Sequence, residues 1–153
     1  MSKSTDKAPF VFAKHRGALY PVNHAAKDLM TSIRDGTQVN VKVTRMTANQ
    51  KRRAFYFVML HVAAEKLKDA TERPWDAELL HDTLKETLRL GETWETPSGK
   101  KIFKKRSTSD RAMSEPDRAR WTDRCAETLS TWLQVPMKDL MDEARRQHGA
   151  IGF

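Results

Sequence analysis

The sequence predicts an α+β fold in which about five helices pack on a small, mostly antiparallel sheet within a single domain. Apolar residues recur at helical spacing in five stretches, and valines alternate with polar residues at 39–43 as in a half-buried strand. The turn-forming triplet Pro97–Gly99 lies between two short strand-like segments. A chain of 153 residues can bury roughly 70% of the surface that its unfolded form exposes, which is enough for one core.

The first part of the chain predicts two strands, a helix and a third strand. Residues 10–16 are rich in apolar side chains, and a glycine can turn the chain back into a second strand at 18–20. Asn23 is placed to cap a helix over 24–34. The alternation at Val39–Val43 then predicts a strand with one buried face.

The longest predicted helix begins at the capping residue Thr47 and covers residues 48–69. Its middle part, AFYFVMLHVAA, is apolar on almost every side, which is typical of a helix at the centre of a protein. Its first turn is polar and basic instead. This helix is therefore predicted to be buried along most of its length and exposed where it begins.

The C-terminal half predicts a third helix, a β-hairpin and two further helices. Asp76 caps the third helix, and segments 93–96 and 100–106 form the hairpin around the triplet PSG. Ser114 caps the fourth helix, which Pro136 separates from a short last helix.

The domain boundaries follow from composition. Residues 1–8 are polar and are expected to form a disordered tail, residues 9–148 a single nucleic-acid-binding domain, and residues 149–153 a C-terminal tail. Cys125 is the only cysteine, so the chain has no internal disulfide. No apolar run approaches the ~20 residues of a membrane span, and the N-terminus has no signal-peptide pattern. We therefore expect a cytoplasmic protein without membrane partners.

The positive charge is concentrated in two stretches. The net charge is +8, from 28 basic and 20 acidic residues. Residues 36–64 and 96–109 each contain five bases and no acid, whereas the rest of the chain has a small acidic excess. A local basic excess of this kind is typical of a face that binds a polyanion such as nucleic acid.

The motifs of common enzyme classes are missing from the sequence. Neither GxxxxGK[ST] nor GxGxxG occurs, and no acidic residue is followed two positions later by the lysine that a common magnesium-dependent nuclease core requires. His61 and Glu65 lie one helical turn apart but lack the third ligand of a zinc site. Cys125 lies on an apolar helix stripe, which favours packing over nucleophilic chemistry. We expect no enzymatic activity, no cofactor and no metal.

Basic and aromatic residues occur together at the start of the long helix. Asn49, Arg52 and Tyr56 can share one helical face, where polar groups would reach phosphates and the ring would stack on an unpaired base. Phe55 and Phe57 are more typical of a core. The candidate DNA-binding residues are Lys42, Arg45, Asn49, Gln50, Lys51, Arg52, Arg53, Tyr56, Lys100, Lys101, Lys104, Lys105 and Arg106.

The chain resembles the phage NinB, or lambda Orf, family of recombination proteins over residues 44–135. The resemblance begins in TRMTANQKRRAFYFVMLHVAAEKL and continues in RPWDAELLHDTLKETL and in KKRSTSDRAMSEPDRARWTDRCAETLSTWL. The hairpin is more basic and the loop before it shorter than in that family. The N-terminal stretch GALYPVNHAAKDLM resembles an uncharacterised phage family. The residues that match the first motif are Thr47, Gln50, Arg52, Arg53 and Phe55.

The resemblance implies a cofactor-free recombination mediator in a phage-infected or prophage-carrying bacterial host. Such a protein would bind single-stranded DNA and the host single-strand-binding protein, help to load a recombinase or annealing protein, and form a homodimer. Two alternatives stay open: a metal-dependent nuclease or resolvase of branched DNA, and a DNA-binding regulator or adaptor. We expect the dimer interface to include part of the last two helices, whose apolar cluster consists of Trp132, Leu133, Val135, Met137, Leu140 and Met141.

Overall fold

A computed structural model describes residues 7–150, with side chains up to His148. Within these residues, five helices and two separate two-stranded antiparallel sheets form one α+β unit, so the predicted fold class is confirmed. The elements are β1 (Phe12–His15), β2 (Ala18–Pro21), α1 (His24–Ser32), α2 (Ala48–Thr71), α3 (Ala77–Thr87), β3 (Gly91–Glu95), β4 (Lys101–Lys105), α4 (Glu115–Leu133) and α5 (Met137–Ala150).

Helix α2 is the central element of the core. Thr47 and Gln50 form a reciprocal capping box at its start, and α3, α4 and α5 all pack against its apolar part. The prediction of a buried central helix is therefore confirmed. The larger apolar side chains that are fully buried in this core include Tyr56, Met59, Leu60, Leu80, Leu84, Met113, Leu129 and Leu140.

The first hairpin, β1–β2, and helix α1 form a small unit around Asn23. The Asn23 Oδ1 accepts hydrogen bonds from the backbone N–H groups of Val11 and Ala26, and its Nδ2 donates to the Pro9 carbonyl. Val11 also packs with Val22 and with Ala54 of α2 in a second small cluster. One capping residue thus fixes both the chain entering β1 and the start of α1.

A buried arginine joins α2 and α4 to the loop that precedes α4. The fully buried Arg118 side chain donates from Nε to Asn49 Oδ1 at 2.6 Å and from Nη2 to the Thr108 carbonyl at 2.8 Å. The same Nη2 lies 3.3 Å from Asp110 Oδ1. Asn49 Nδ2 in turn donates to the Met113 carbonyl at 2.9 Å. These bonds hold residues 106–115 against the helices.

The polar network continues into the core through Tyr56. Its Oη lies 2.7 Å from His81 Nδ1, and His81 Nε2 lies 3.4 Å from Thr108 Oγ1. Buried polar groups are costly unless they are hydrogen-bonded, so this chain of contacts restricts how α2, α3 and the 106–115 segment can be arranged.

The predicted strand at Val39–Val43 is wrong. This segment is not paired with any strand in the described part of the chain, and its three valines are 55%, 63% and 69% exposed. The sequence also predicted a single sheet, whereas the strands form two separate hairpins, β1–β2 and β3–β4. Neither hairpin pairs with the segment, so the valine alternation has no partner strand within the described residues.

The apolar cluster expected at a dimer interface is largely part of the core. Helix α5 folds back on α2 and α4, which buries Leu140 and Met141, and the 133–135 turn packs against the same core. Only Trp132, at 38%, and Met137, at 37%, remain substantially exposed. The C-terminal helices therefore do not present the continuous patch that the sequence suggested.

The two predicted tails lie mostly outside the described residues, at 1–6 and 151–153. The Lys7 carbonyl accepts a hydrogen bond from Arg53, and Ala8 packs against the core. Helix α5 continues through Ala150, beyond the predicted start of the C-terminal tail at 149. Among the helices between residues 7 and 150, none combines the length and the apolar character that crossing a bilayer requires.

Replacing Arg118 by Met should lower the free energy of unfolding by about 3 kcal/mol, because several buried partners lose their donor. Arg120→Met is the matched control, since Arg120 is on the same helix in an exposed pair with Asp117 and should change stability by less than about 0.5 kcal/mol. Urea denaturation followed by circular dichroism measures both. Equal stability of the two variants would contradict a structural role for Arg118.

Candidate nucleic-acid interface

The second hairpin presents two chemically different faces. Its register places Trp94 opposite Ile102 and Glu92 opposite Lys104, while Thr93 is opposite Phe103. Because side chains alternate along a strand, the first two pairs lie on one face and the third lies on the other.

The inward face of the hairpin is anchored to the region of α3. The Arg89 guanidinium lies over the Phe103 ring, 3.9 Å from its centroid. Lys105 Nζ is 2.9 Å from a carboxylate oxygen of the buried Asp82 and 3.4 Å from one of Glu86. The hydrogen bond to Asp82 raises the pKa of Lys105 above its ordinary value. Lys105 is thus an anchor of the hairpin rather than a free cation.

Gly91 allows the two strands to approach each other where β3 begins. A Cβ atom on Gly91 would lie 2.1 Å from the Lys104 carbonyl oxygen, far inside the contact distance. The ladder continues beyond this point, because the Arg106 N–H donates to the Leu90 carbonyl at 2.8 Å. The close approach brings the base-rich end of β4 directly alongside β3.

The outward face of the hairpin combines an aromatic surface with positive charge. Trp94 is 57% exposed and its partner Ile102 is 47% exposed. Trp94 also lines a cleft of about 400 Å³ together with Lys104, Arg106 and one acidic residue, Glu92. An exposed ring beside several cations is the arrangement that proteins use to stack an unpaired base while holding its phosphates.

Trp94 was not among the residues that the sequence predicted for the site. A signal was present: Trp94 precedes the turn by the same distance as Ile102 follows it, so pairing around the PSG turn places them side by side. The sequence prediction selected the lysines of the second strand instead, because that strand is strongly basic. Lys100, Lys101 and Lys104 are exposed, and none forms an ion pair within residues 7–148.

Three polar residues predicted to contact DNA from α2 have structural roles instead. Tyr56 is fully buried with its hydroxyl on His81, so its ring cannot stack on a base. Asn49 holds Arg118 and the Met113 carbonyl, and Gln50 completes the capping box. Tyr56 is buried because the apolar surface of α2 begins within two turns of its cap, whereas Asn49 and Gln50 are half-buried and are engaged by their hydrogen bonds.

The basic residues around the start of α2 are partly engaged. Arg52 Nε lies 2.8 Å from Glu115 Oε1, and Arg53 donates to the Lys7 carbonyl at 2.5 Å. Lys51, Lys42 and Arg45 are exposed, and no ion pair involves them in the described part of the chain. These three side chains therefore provide the accessible charge of this stretch.

Segment 106–115 connects the two acid-free stretches. At its first residue, the Arg106 guanidinium donates to the Ala112 carbonyl, and at its last, Glu115 pairs with Arg52 of α2. Acidic side chains of this region compensate other bases, since Asp117 pairs with Arg120. The pKa of Asp117 is lowered, first by its hydrogen bond with Ser114 and then by Arg120. Within the two acid-free stretches, the exposed bases that remain without an ion pair in the described part of the chain include Lys100, Lys101 and Lys104 on the hairpin and Lys42, Arg45 and Lys51 around the start of α2.

The residues considered for catalysis are packed or half-buried. Burial raises the pKa of the Cys125 thiol well above its usual range, so the thiolate nucleophile is suppressed. The His61 ring stacks on His24 with centroids 4.2 Å apart, and burial lowers its pKa. Between residues 7 and 148, no cluster of three or more His, Cys, Asp or Glu side chains is arranged to hold a metal ion.

Comparison with known proteins gives no relative: no family model, curated protein or solved structure matches the chain.

Replacing Gly91 by Ala should loosen the start of the hairpin, because the added methyl group overlaps the Lys104 carbonyl. We expect faster amide hydrogen exchange at Arg106 and along β4, with α2 and α4 unchanged. Glu95→Ala, at an exposed position of the same strand, is the control and should leave exchange unaffected. Equal protection of β4 in Gly91→Ala and in the unmodified protein would contradict the close strand contact.

Proposed function

We propose that the chain binds single-stranded DNA through the outward face of the β3–β4 hairpin. The observation that carries this proposal is the exposed Trp94 ring beside Ile102, in a cleft shared with Lys104 and Arg106. A large aromatic side chain at a solvent-exposed strand position contributes little to the core of this protein. Its placement among cations is what a base-stacking platform requires.

The proposed preference for single strands follows from access to the base faces. In a duplex the faces of the bases are stacked on each other, whereas an unpaired base can stack on Trp94 while Lys100 and Lys104 hold the flanking phosphates. Such contacts do not involve the edges of the bases, which carry the sequence information. Binding should therefore be salt-sensitive and depend weakly on sequence.

The strand is proposed to continue from the hairpin toward α2. Segment 106–115 joins the two regions, and Lys51 is an exposed and unpaired base on the first turn of α2 within the described residues. The first turn of α2 also contains no acidic side chain that would repel phosphate. A path across the hairpin and this turn would use both basic stretches of the sequence.

The resemblance to the NinB family supports a narrower role within this proposal. The chain would act in the cytoplasm of a phage-infected or prophage-carrying bacterium, as a cofactor-free homodimer that assists loading of a recombinase or annealing protein. The partner would be the host single-strand-binding protein on DNA. Strand-exchange assays with DNA coated by that protein test this role, and acceleration by the chain is the expected result.

Trp94→Ala should weaken binding of a labelled oligothymidine by about tenfold, which corresponds to the loss of one stacked base. Trp132→Ala is the matched control, because Trp132 is also exposed but lies near the C-terminal end of α4, about 25 Å along the helix from Glu115. Fluorescence anisotropy measures both affinities. Equal affinities of the two variants would remove the hairpin face from the site.

Replacing Lys100 and Lys104 together by Ala should reduce the steepness of the salt dependence. Each lost phosphate contact on a single strand lowers the slope of log K against log salt by about 0.7, so two contacts account for a change of about 1.4. The same series of measurements includes binding of duplex DNA and incubation of branched DNA with Mg²⁺ to detect cleavage. A preference for duplex would favour the regulator alternative, and cleavage of the branched DNA would favour the nuclease alternative.

A further inference from the structure

The connection between α1 and α2 is unusual for its length and exposure. It covers residues 33–47, and each residue from 34 to 45 is exposed to solvent. Within the part of the chain that the structure describes, the backbone of residues 38–46 makes no backbone–backbone hydrogen bond. Connections longer than about 12–15 residues without secondary structure are uncommon in compact domains and are usually either functional segments or linkers.

The sequence of this connection is that of a strand rather than of a flexible linker. Valine occupies every second position from Val39 to Val43, with Asn40 and Lys42 between. β-Branched residues favour extended pairing, and segment 37–46 contains neither glycine nor proline. Unpaired backbone groups beside exposed valines form a template for pairing with another strand.

We propose that residues 38–44 pair antiparallel with the same residues of a second copy of the chain, around a two-fold axis at Val41. In this register Val41 faces Val41 of the partner subunit. Val39 faces Val43 of the partner subunit, so six valines share one face of the ribbon. An antiparallel pair of identical strands is self-complementary and closes as a dimer.

The charges select this register over its neighbours. With the axis at Val41, each Lys42 faces Asn40 of the partner subunit, and no like charges meet. Moving the axis to Lys42 would place the two Lys42 side chains opposite each other, which is destabilising. Moving it to Asn40 would leave each Val43 opposite Thr37 and break the valine stripe. Registers in which the two-fold axis lies midway between two residues would pair valines with polar residues.

This interface differs from the one expected at the C-terminal helices, and it does not depend on DNA binding. A ribbon of two short strands is marginal on its own, so the dimer should be weak and concentration-dependent. The polar face of the ribbon carries both Lys42 side chains, which would add to the accessible positive charge of the assembly.

Site-specific disulfide formation tests the register directly. In the proposed ribbon the two Cα atoms at position 41 are about 4.5–5.5 Å apart, within the range of a disulfide. The two Cα atoms at position 42 are about 8 Å apart, beyond that range. Under a glutathione redox buffer, Val41→Cys should form a dimer of twice 17.6 kDa in high yield, and Lys42→Cys should not. Cys125 is fully buried and does not compete.

A mixture of Val39→Cys and Val43→Cys should form mixed disulfides in preference to either homodimer, because only these positions face each other across the axis. Equal cross-linking of Val41→Cys and Lys42→Cys, or no mixed disulfide, would overturn the proposal. All four positions are exposed, so circular dichroism is expected to show unchanged folding.

The reversible dimer gives a second measurement, by sedimentation velocity at increasing concentration. Asn40→Asp places a carboxylate opposite Lys42 of the partner subunit and should tighten the dimer. Asn40→Lys places two cations opposite each other and should weaken it. An effect of equal size and sign from both substitutions would contradict the pairing.

Discussion

The hydrogen bonds of the buried Arg118 side chain hold together the parts of the molecule on which the proposed function depends. They connect α4 to Asn49 at the start of α2 and to the carbonyl of Thr108 in the connecting loop. Because a buried guanidinium without partners is strongly unfavourable, the loop has little freedom to move away. The hairpin enters this loop at Arg106, so its position relative to α2 is set by the same interactions.

The two faces of the hairpin have different roles, because side chains alternate along each strand. One face is anchored to the protein, and the other is exposed to solvent. Phe103 and Lys105 face the protein and are engaged by Arg89 and Asp82. Their neighbours in β4, Ile102 and Lys104, point the other way. Trp94 lies opposite Ile102 on that face and is exposed. A rigid inner face is useful to a binding surface, because side chains on a fixed strand lose less entropy when a ligand arrives.

Elements with strong local signals were predictable from the sequence, and the contacts between elements were not. The caps Asn23, Thr47, Asp76 and Ser114 and the apolar run of α2 define helices that the structure confirms. The burial of Tyr56 and Arg118 depends on residues 25 and 69 positions away, which periodicity cannot reveal. The valine alternation at 39–43 indicates a strand, but a strand needs a partner, and the chain supplies none within its described residues.

The most direct test of the central proposal is ultraviolet cross-linking of the full chain to an oligothymidine, with the attachment sites located by mass spectrometry. Adducts are expected on the peptide containing Trp94 and on the adjacent β4 peptide, and they should be lost when unlabelled single-stranded DNA competes. Adducts confined to surfaces remote from the hairpin, or their persistence under competition, would contradict it.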